Sequence, residues 1–171
     1  MKKRLAVIPA RGGSKRIPNK NIKNFCGKPM ISYIINAAIE SNLFSKIHIS
    51  SESQEIINCA TNLGLKPDFV RPENLSGDFT PIMEVLKFVV EKYKSSDLIF
   101  DEIWLLMACS PLIKSRHLIE ASKEYKGINK KKLLAVSEYS VPIEWAFNID
   151  ENKNLYPVNP GKFSIRSQDI N

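Results

Sequence analysis

The chain has 171 residues, which is enough for one ordinary domain with a sizeable core and leaves little room for a second. Hydrophobic residues make up 43% and charged residues 25%, and no apolar run approaches the roughly 20 residues of a membrane span, so we expect a soluble cytoplasmic protein without a membrane contact. The net charge is +7, and residues 1–28 contain nine Lys or Arg and no acid, which indicates an anionic ligand near the N-terminus.

Hydrophobic periodicity predicts strands that alternate with helices along most of the chain. Residues 4–9 are an apolar run typical of a strand buried on both faces, and residues 10–28, dense in Gly, Pro, Asn and Lys, are predicted to be a long loop. The further predicted elements, in chain order, are a helix at 30–41, a strand at 46–51, a helix at 53–63, a strand at 68–70, a helix from 80, a strand at 103–107, a helix at 115–125 and a strand at 133–136. This order predicts a doubly wound, mostly parallel α/β sheet.

The cysteines and histidines do not suggest a metal centre or a nucleophile. Cys26, Cys59 and Cys109 are far apart and form no Cys-x-x-Cys pair, which argues against a disulfide framework and against a zinc site. His48 and His117, the only histidines, are not placed to activate a cysteine.

The loop after the first strand is the candidate ligand site, because ligands of open α/β sheets bind at the carboxyl ends of the strands. Gly12 and Gly13 let the backbone approach a ligand and turn its N–H groups toward it, and Ser14 adds a hydroxyl donor. The positively charged side chains of the loop are Arg11, Lys15, Arg16 and Lys20. Arginine suits bidentate phosphate recognition and lysine acts as a mobile point charge, so the loop has what a triphosphate requires.

Two well-known phosphate motifs are absent from this loop. Its Gly-Gly-Ser-Lys sequence matches neither the Walker A pattern nor the Gly-x-Gly-x-x-Gly dinucleotide fingerprint. The residues therefore favour a phosphate or nucleotide site of another kind, with a structural basic loop and a nucleic-acid contact as the alternatives. A nucleic-acid module is disfavoured because Phe25 is the only aromatic residue among the first 30 that could stack on a base.

The segment from Ile8 to Asn21, followed by Gly-Lys-Pro at 27–29, resembles the opening of the acylneuraminate cytidylyltransferases. Further segments similar to that family are Ile-Ser-Ser-Glu at 49–52, Arg-Pro-Glu-Asn-Leu-Ser at 71–76 and Ser-Pro-Leu at 110–112, and Ile-Arg-Ser-Gln-Asp at 165–169 is similar to its pseudaminic acid branch. The resemblance covers essentially the whole chain. It implies a Rossmann-like nucleotidyltransferase fold and an enzyme that transfers CMP from CTP to an acidic nine-carbon sugar, releasing pyrophosphate.

The resemblance also implies roles for the residues of the first loop. Arg11, Gly12, Gly13 and Ser14 would hold the CTP phosphates, and Lys20 would neutralise the charge that develops at the α-phosphate. Arg11 and Lys20 are thus the expected catalytic residues. Catalysis would consist mainly of positioning and charge stabilisation, with Mg²⁺ sharing the work.

The remaining implied contacts lie further along the chain. Besides the four residues at 11–14, the implied nucleotide-binding residues are Asn21, Arg71, Asp78 and Thr80, the last two near the cytidine. Arg166 would pair with the sugar carboxylate, assisted by Gln168. Two alternatives stay open, because Arg71 could instead brace the loop before Pro72 and Arg166 could be a surface residue.

The sequence departs from the family pattern at a few positions. Met107 stands where sialic acid enzymes commonly have Gln, which disfavours ordinary sialic acid relative to pseudaminic acid, although legionaminic and sialic acids stay as alternatives. Ser51-Glu52 replaces the more usual Thr-Asp at the end of the second strand.

The C-terminal stretch, 145–171, breaks the alternation with two short β-like pieces, and family members usually continue for tens of residues beyond it. We therefore predict a nucleotide-binding α/β domain at 1–140 and, at 141–171, the start of a β-rich dimerisation and sugar-binding excursion that is incomplete. The Asp-x-Asp pair thought to hold Mg²⁺ in the family is absent, so the metal ligands are unknown. The complete protein is expected to be a homodimer, and a truncated fragment that binds CTP without turnover is the alternative to an active enzyme.

Overall fold

The computed structural model describes residues 2–127, 132–138 and 142–161. Over these residues the helices and strands, in chain order, are β1 (Arg4–Pro9), β2 (Asn24–Phe25), β3 (Lys28–Pro29), α1 (Met30–Glu40), β4 (Lys46–Ser50), α2 (Gln54–Asn62), α3 (Ile82–Lys94), β5 (Glu102–Leu105), α4 (Ser115–Gly127), β6 (Phe147–Ile149) and β7 (Leu155–Pro157). Short 3-10 helices occupy Glu73–Leu75 and Ile143–Trp145. The chain divides into two compact units, Met1–Lys130 and Lys131–Asn171.

In the first unit β1 is the central strand of a parallel sheet with the order β4-β1-β5. Val7 lies opposite His48 on one side and opposite Leu105 on the other. The chain therefore leaves β1 toward one edge and later returns to pair on the opposite edge. This is the doubly wound arrangement that the sequence predicts, and it creates a crevice at the carboxyl end of β1.

Every residue of β1 is buried, because helices cover both faces of the sheet. Ala6 and Ile8 pack in a cluster with side chains of α1, α2 and α4. Leu5 and Val7 point to the other face and pack with Val89 of α3. Successive side chains of a strand alternate between faces, so an uninterrupted apolar run is what a strand between two helical layers requires.

The loop at 10–28 contains a short hairpin that the sequence did not reveal. Strands β2 and β3 pair antiparallel, with Phe25 opposite Lys28. The two residues of the turn, Cys26 and Gly27, both have positive φ, at 48° and 85°. That backbone is typical of a tight hairpin turn, for which glycine is common but cysteine is not, so the turn signal was weak.

The predicted strand at 68–70 is wrong, because these residues pair with no strand in the described part of the chain. Side-chain contacts hold them beside β4 instead. Asp68 accepts a hydrogen bond from Lys46 at 2.8 Å, and the ring of Phe69 lies 4.3 Å from that of His48. A three-residue apolar pattern cannot distinguish such a segment from a strand.

In the second unit β6 and β7 form an antiparallel hairpin with Asn148 opposite Tyr156. The predicted strand at 133–136 is wrong, since 132–138 contains no strand. The side chains of Leu134 and Val136 are 80% and 83% exposed, whereas a core strand buries such residues. The α/β class with a β-rich C-terminal part is confirmed, and the predicted boundary at residue 140 stays a prediction.

Among the described helices, none is both long and apolar enough to cross a membrane.

Candidate functional site

A cavity opens at the carboxyl ends of β1 and β5, where the order of the sheet reverses. Its walls come from the loop after β1, from the segment that leads into α3, and from the residues after β5. The β5 side contributes Met107, Ala108 and Cys109. The cavity therefore lies where the sequence and the sheet topology place a ligand.

The basic residues of the first loop face this cavity together. Its cationic wall consists of Arg11, Lys15, Arg16 and Lys20. Arg16 and Lys20 form no ion pair with another residue that the structure describes, so their charges are available to an anion. The predicted catalytic residues Arg11 and Lys20 thus lie in one wall, although their catalytic roles stay predictions.

Asp78 holds two of these cations. Its Oδ1 lies 2.6 Å from Nη1 of Arg11, and its Oδ2 pairs with Nζ of Lys15. Hydrogen bonds from Lys15 and then from Arg11 hold the pKa of the Asp78 carboxyl below its usual value, so Asp78 is ionised at neutral pH. A bound phosphate would have to compete with this carboxylate for both cations.

Asn21 ties the loop to the first helix. Its side chain is buried, and Nδ2 donates to the carbonyl of Arg11 at 2.9 Å. Its backbone carbonyl accepts from the N–H of Ile31 at 2.8 Å, at the beginning of α1. Asn21 lines the cavity, as its predicted nucleotide contact requires, and it also fixes the backbone that carries Arg11.

Arg71 is only 5% exposed, lines the cavity and braces the end of β4. Its Nε donates to Oγ of Ser50 at 3.1 Å, Nη2 donates to the Ser50 carbonyl, and the Arg71 backbone N–H donates to Ser51. Burial lowers the pKa of Arg71, and the negative charge of Glu52 opposes that effect. The bracing role that was left open is therefore observed, and the nucleotide contact stays a prediction.

The backbone of the glycine pair differs from expectation. The N–H of Gly12 donates to Oε1 of Glu52 at 2.6 Å, and the N–H of Ser14 donates to the carbonyl of Gly12 at 2.8 Å. The Gly12 N–H, which was expected to turn toward a ligand, is thus bonded within the chain. Ser14 lines the cavity, whereas Gly12 and Gly13 are not among its lining residues.

The remaining predicted residues divide into two groups. Asp78 and Thr80 line the cavity, so the segment before α3 does meet the first loop. Arg166 and Gln168 lie outside the described residues, and their predicted contact with a sugar carboxylate stays a prediction.

The described residues do not by themselves form a site for Mg²⁺. They contain no group of three His, Cys, Asp or Glu side chains that could hold a metal ion. Asp78 is the only carboxylate among the residues that line the cavity, and both of its oxygens accept from cations. Mg²⁺ requires oxygen ligands that are free to coordinate it, so no ligand is assigned.

Sequence reasoning missed Glu52 and Ser53 as partners of the loop. Both lie in the short turn between β4 and α2, at the same edge of the sheet as Arg11. The rule that selected the first loop also applies to the end of β4, and it could have identified a carboxylate there.

Comparison with known proteins agrees with this geometry. The family model described as Cytidylyltransferase matches residues 5–156. The chain is 40% identical to a pseudaminic acid cytidylyltransferase of Campylobacter jejuni over 98% of its own length and 72% of that protein. It is 35% identical to a CMP-N,N'-diacetyllegionaminic acid synthase of Legionella pneumophila over 88% of its length and 65% of that protein.

A solved structure also has a similar fold. The structure of a CMP:2-keto-3-deoxy-manno-octonic acid synthetase complexed with CTP aligns with a TM-score of 0.62 at 22% identity, covering 73% of this chain and 48% of the other.

Proposed function

The chain belongs to the cytidylyltransferase family, and on that premise we propose that it transfers CMP from CTP to an acidic nine-carbon sugar, with release of pyrophosphate. The observation that carries the proposal is the cationic wall of the cavity at the carboxyl end of β1. Four basic side chains converge there, and a triphosphate is the part of CTP with matching charge. The similarity to a pseudaminic acid cytidylyltransferase supports pseudaminic acid or a related nonulosonate as the acceptor.

The proposed reaction is an in-line displacement at the α-phosphorus. The anomeric hydroxyl oxygen of the sugar forms a bond to the α-phosphorus and loses its proton to solvent. The bond from the α-phosphorus to the oxygen bridging to the β-phosphorus breaks, and its electron pair leaves with pyrophosphate. Such a reaction is accelerated chiefly by holding the two reactants in line and by cations placed where negative charge grows.

Each wall of the cavity has a part in this reaction. Arg11 would bind a phosphate through its planar guanidinium once Asp78 gives way, and the half-buried Lys20 would place its ammonium near the α-phosphate. Arg71 would add a fixed positive charge, because its bonds to Ser50 prevent it from following a mobile ligand.

Mg²⁺ stays part of the proposal as a cofactor whose protein ligands are not assigned. When bound, it would screen the charge of the triphosphate oxygens.

We also propose that the protein forms a homodimer. The exposed apolar side chains of Ile149, Leu155 and Val158 in the second unit support this proposal. Sedimentation velocity measures the mass of the particle in solution and so tests it.

The test of the proposed function is pyrophosphate release from CTP with a panel of pseudaminic, legionaminic and sialic acids. We expect release with CTP and pseudaminic acid and little with ATP, GTP or UTP. Lys20→Met should lower kcat/KM by about a hundredfold, because one preorganised charge at the transition state is removed. Lys28→Met removes the same charge from the exposed strand β3, outside the cavity wall, and should leave kcat/KM unchanged.

Two results would refute the proposal as stated. If none of the acidic sugars supports pyrophosphate release while CTP raises the melting temperature, a fragment that binds CTP without turnover is favoured. Equal losses in Lys20→Met and Lys28→Met would remove Lys20 from the catalytic role.

A further inference from the structure

Glu52 forms a contact with the first loop that no predicted role explains. It follows Ser51 at the end of β4, and its Oε1 accepts the Gly12 N–H at 2.6 Å. Its other oxygen, Oε2, is buried and has no hydrogen-bond partner among the described residues. A carboxylate half desolvated in this way is costly unless the bond that it does make, or a nearby positive charge, stabilises it.

A positive charge close enough to interact with Glu52 belongs to Arg71. The Glu52 carboxylate acts electrostatically on the Arg71 guanidinium, which is itself buried and bonded to Ser50. Glu52 thus bonds to the backbone of the first loop and interacts through its charge with Arg71, which also lines the cavity.

The close packing around Gly12 indicates that this contact is built into the fold. A Cβ added at Gly12 would lie 2.9 Å from Cβ of Ser53 and 3.5 Å from Oε1 of Glu52. The glycine is therefore required by its approach to the turn after β4, and not by a positive φ.

Neither partner of this contact is among the residues that line the cavity. Arg11 and Ser14, on either side of the glycine pair, line the cavity, whereas Gly12 and Glu52 do not. A phosphate bound to the lining residues would thus not need to displace Glu52 from the Gly12 N–H. Glu52 acts on the loop through a glycine that does not itself line the cavity.

We propose that Glu52 is a positioning residue for nucleotide binding, which fixes the Gly12 N–H and so holds Arg11 and Ser14 in the cavity wall. This inference rests on the proposed function, because the ligand that the loop serves is taken to be the triphosphate of CTP. Glu52 acts through its hydrogen bond to Gly12, since it is not among the residues that line the cavity.

Calorimetric titration of the chain with CTP tests the inference. Glu52→Ala should weaken CTP binding by about tenfold, because the loop loses its support and the cations lose their fixed geometry. Glu52→Gln keeps an oxygen that can accept from Gly12, so it should bind within about threefold of the wild type. Glu55→Ala removes an exposed carboxylate from the first turn of α2 and should not change the affinity.

Melting temperatures separate positioning from stability. Titrations are run well below the melting temperature of every variant, where each chain is folded. A Glu52→Ala chain that melts earlier but binds CTP like the wild type overturns the proposal. A Glu52→Gln chain as weak as Glu52→Ala also overturns it, because charge and not the hydrogen bond would then be the cause.

Inorganic pyrophosphate serves as a second probe. If the wild type binds pyrophosphate but not CTP, the proposed function fails, and the comparison of Glu52 variants is still made with pyrophosphate. If the wild type binds neither anion, both the function and the role of Glu52 are refuted.

Discussion

At the scale of single residues, Asp78 decides how available the cationic wall is. Its two carboxylate oxygens accept from Arg11 and Lys15, which are two of the four cations that face the cavity. Both pairs are partly exposed, so each is weak and exchangeable. When no phosphate is bound, Asp78 therefore keeps the two cations near each other. A phosphate can replace Asp78 with only a small loss of free energy from the two broken ion pairs.

Removing that competition should strengthen phosphate binding. We expect Asp78→Asn to bind inorganic pyrophosphate about three- to tenfold more tightly than the wild type, because two exposed ion pairs no longer compete with the anion. Calorimetric titration measures this change. If Asp78 also contacts the cytidine, as its predicted role states, the same variant gains less affinity for CTP than for pyrophosphate.

A matched variant separates local from general charge effects. Asp97→Asn changes the net charge equally, but it follows the far end of α3, about 20 Å along the helix from the cavity. Asp97 has a φ of 59°, which asparagine tolerates. An equal gain in both variants, or none in Asp78→Asn, would contradict the proposed competition.

At the scale of elements, the first loop is shaped by the elements that it touches. Asn21 attaches it to the beginning of α1, and Glu52 with Ser53 attaches it to the turn between β4 and α2. A loop held at both sides presents its cations in a fixed arrangement, so less conformational entropy is lost when a ligand binds.

The packing of Gly12 against Ser53, the N-cap residue of α2, predicts that a substitution at Gly12 weakens binding and that a second substitution at Ser53 restores it. Gly12→Ala should weaken CTP binding by about tenfold, because its new Cβ would lie 2.9 Å from Cβ of Ser53 and push the loop outward. Gly12→Ala combined with Ser53→Gly should recover most of the affinity, since the obstructing atoms are gone. Titration with CTP compares the single and double variants.

Ser53→Gly alone is the control for this pair. Ser53 is the N-cap residue of α2 but makes no side-chain capping bond, so its replacement by glycine should cost only a few tenths of a kcal/mol. A double variant as weak as Gly12→Ala would show that the contact with Ser53 is not what requires glycine.

At the scale of the whole molecule, a polar network of the buried His48 and Tyr93 and the exposed Asp68 links the middle of β4 to α3 on one face of the sheet. The Tyr93 hydroxyl donates to Oδ2 of Asp68 at 2.5 Å and lies 3.0 Å from Nδ1 of His48. Because the hydroxyl donates its hydrogen bond to Asp68, it can only accept one from Nδ1–H of His48. His48 is then the neutral tautomer that carries its proton on Nδ1 and none on Nε2. That nitrogen is buried and has no hydrogen-bond partner in the described chain.

This network predicts how stability depends on pH. Burial lowers the pKa of His48 from 6.5 to about 4, against the opposing charge of Asp68. Between these values the unfolded chain binds a proton that the folded chain excludes, so stability is full above pH 6.5 and falls as pH decreases toward 4. The free energy of unfolding should lose about 2 kcal/mol from this group between pH 7 and pH 5.

Urea unfolding of His48→Asn measures that contribution. The asparagine amide can donate to Tyr93 as Nδ1–H does, but it does not titrate, so the variant should be less stable at pH 7 and less sensitive to pH. Asp68 stays ionised in this range, because the bonds from Lys46 and Tyr93 outweigh burial and hold its pKa below 3.8. Equal pH dependence in the two proteins would show that His48 is not the titrating group.

The sequence by itself determined the central strand, the helices and the loop that lines the cavity, because each depends on local pattern. An apolar run such as 4–9 can be buried only between two layers, and a basic glycine loop after it must lie at the carboxyl edge. Only the tertiary structure decided that Asp78 pairs with Arg11 and that Glu52 holds Gly12, since these partners lie 67 and 40 residues apart. It also decided that 68–70 is not a strand, because strand formation depends on a neighbouring backbone that no local pattern specifies.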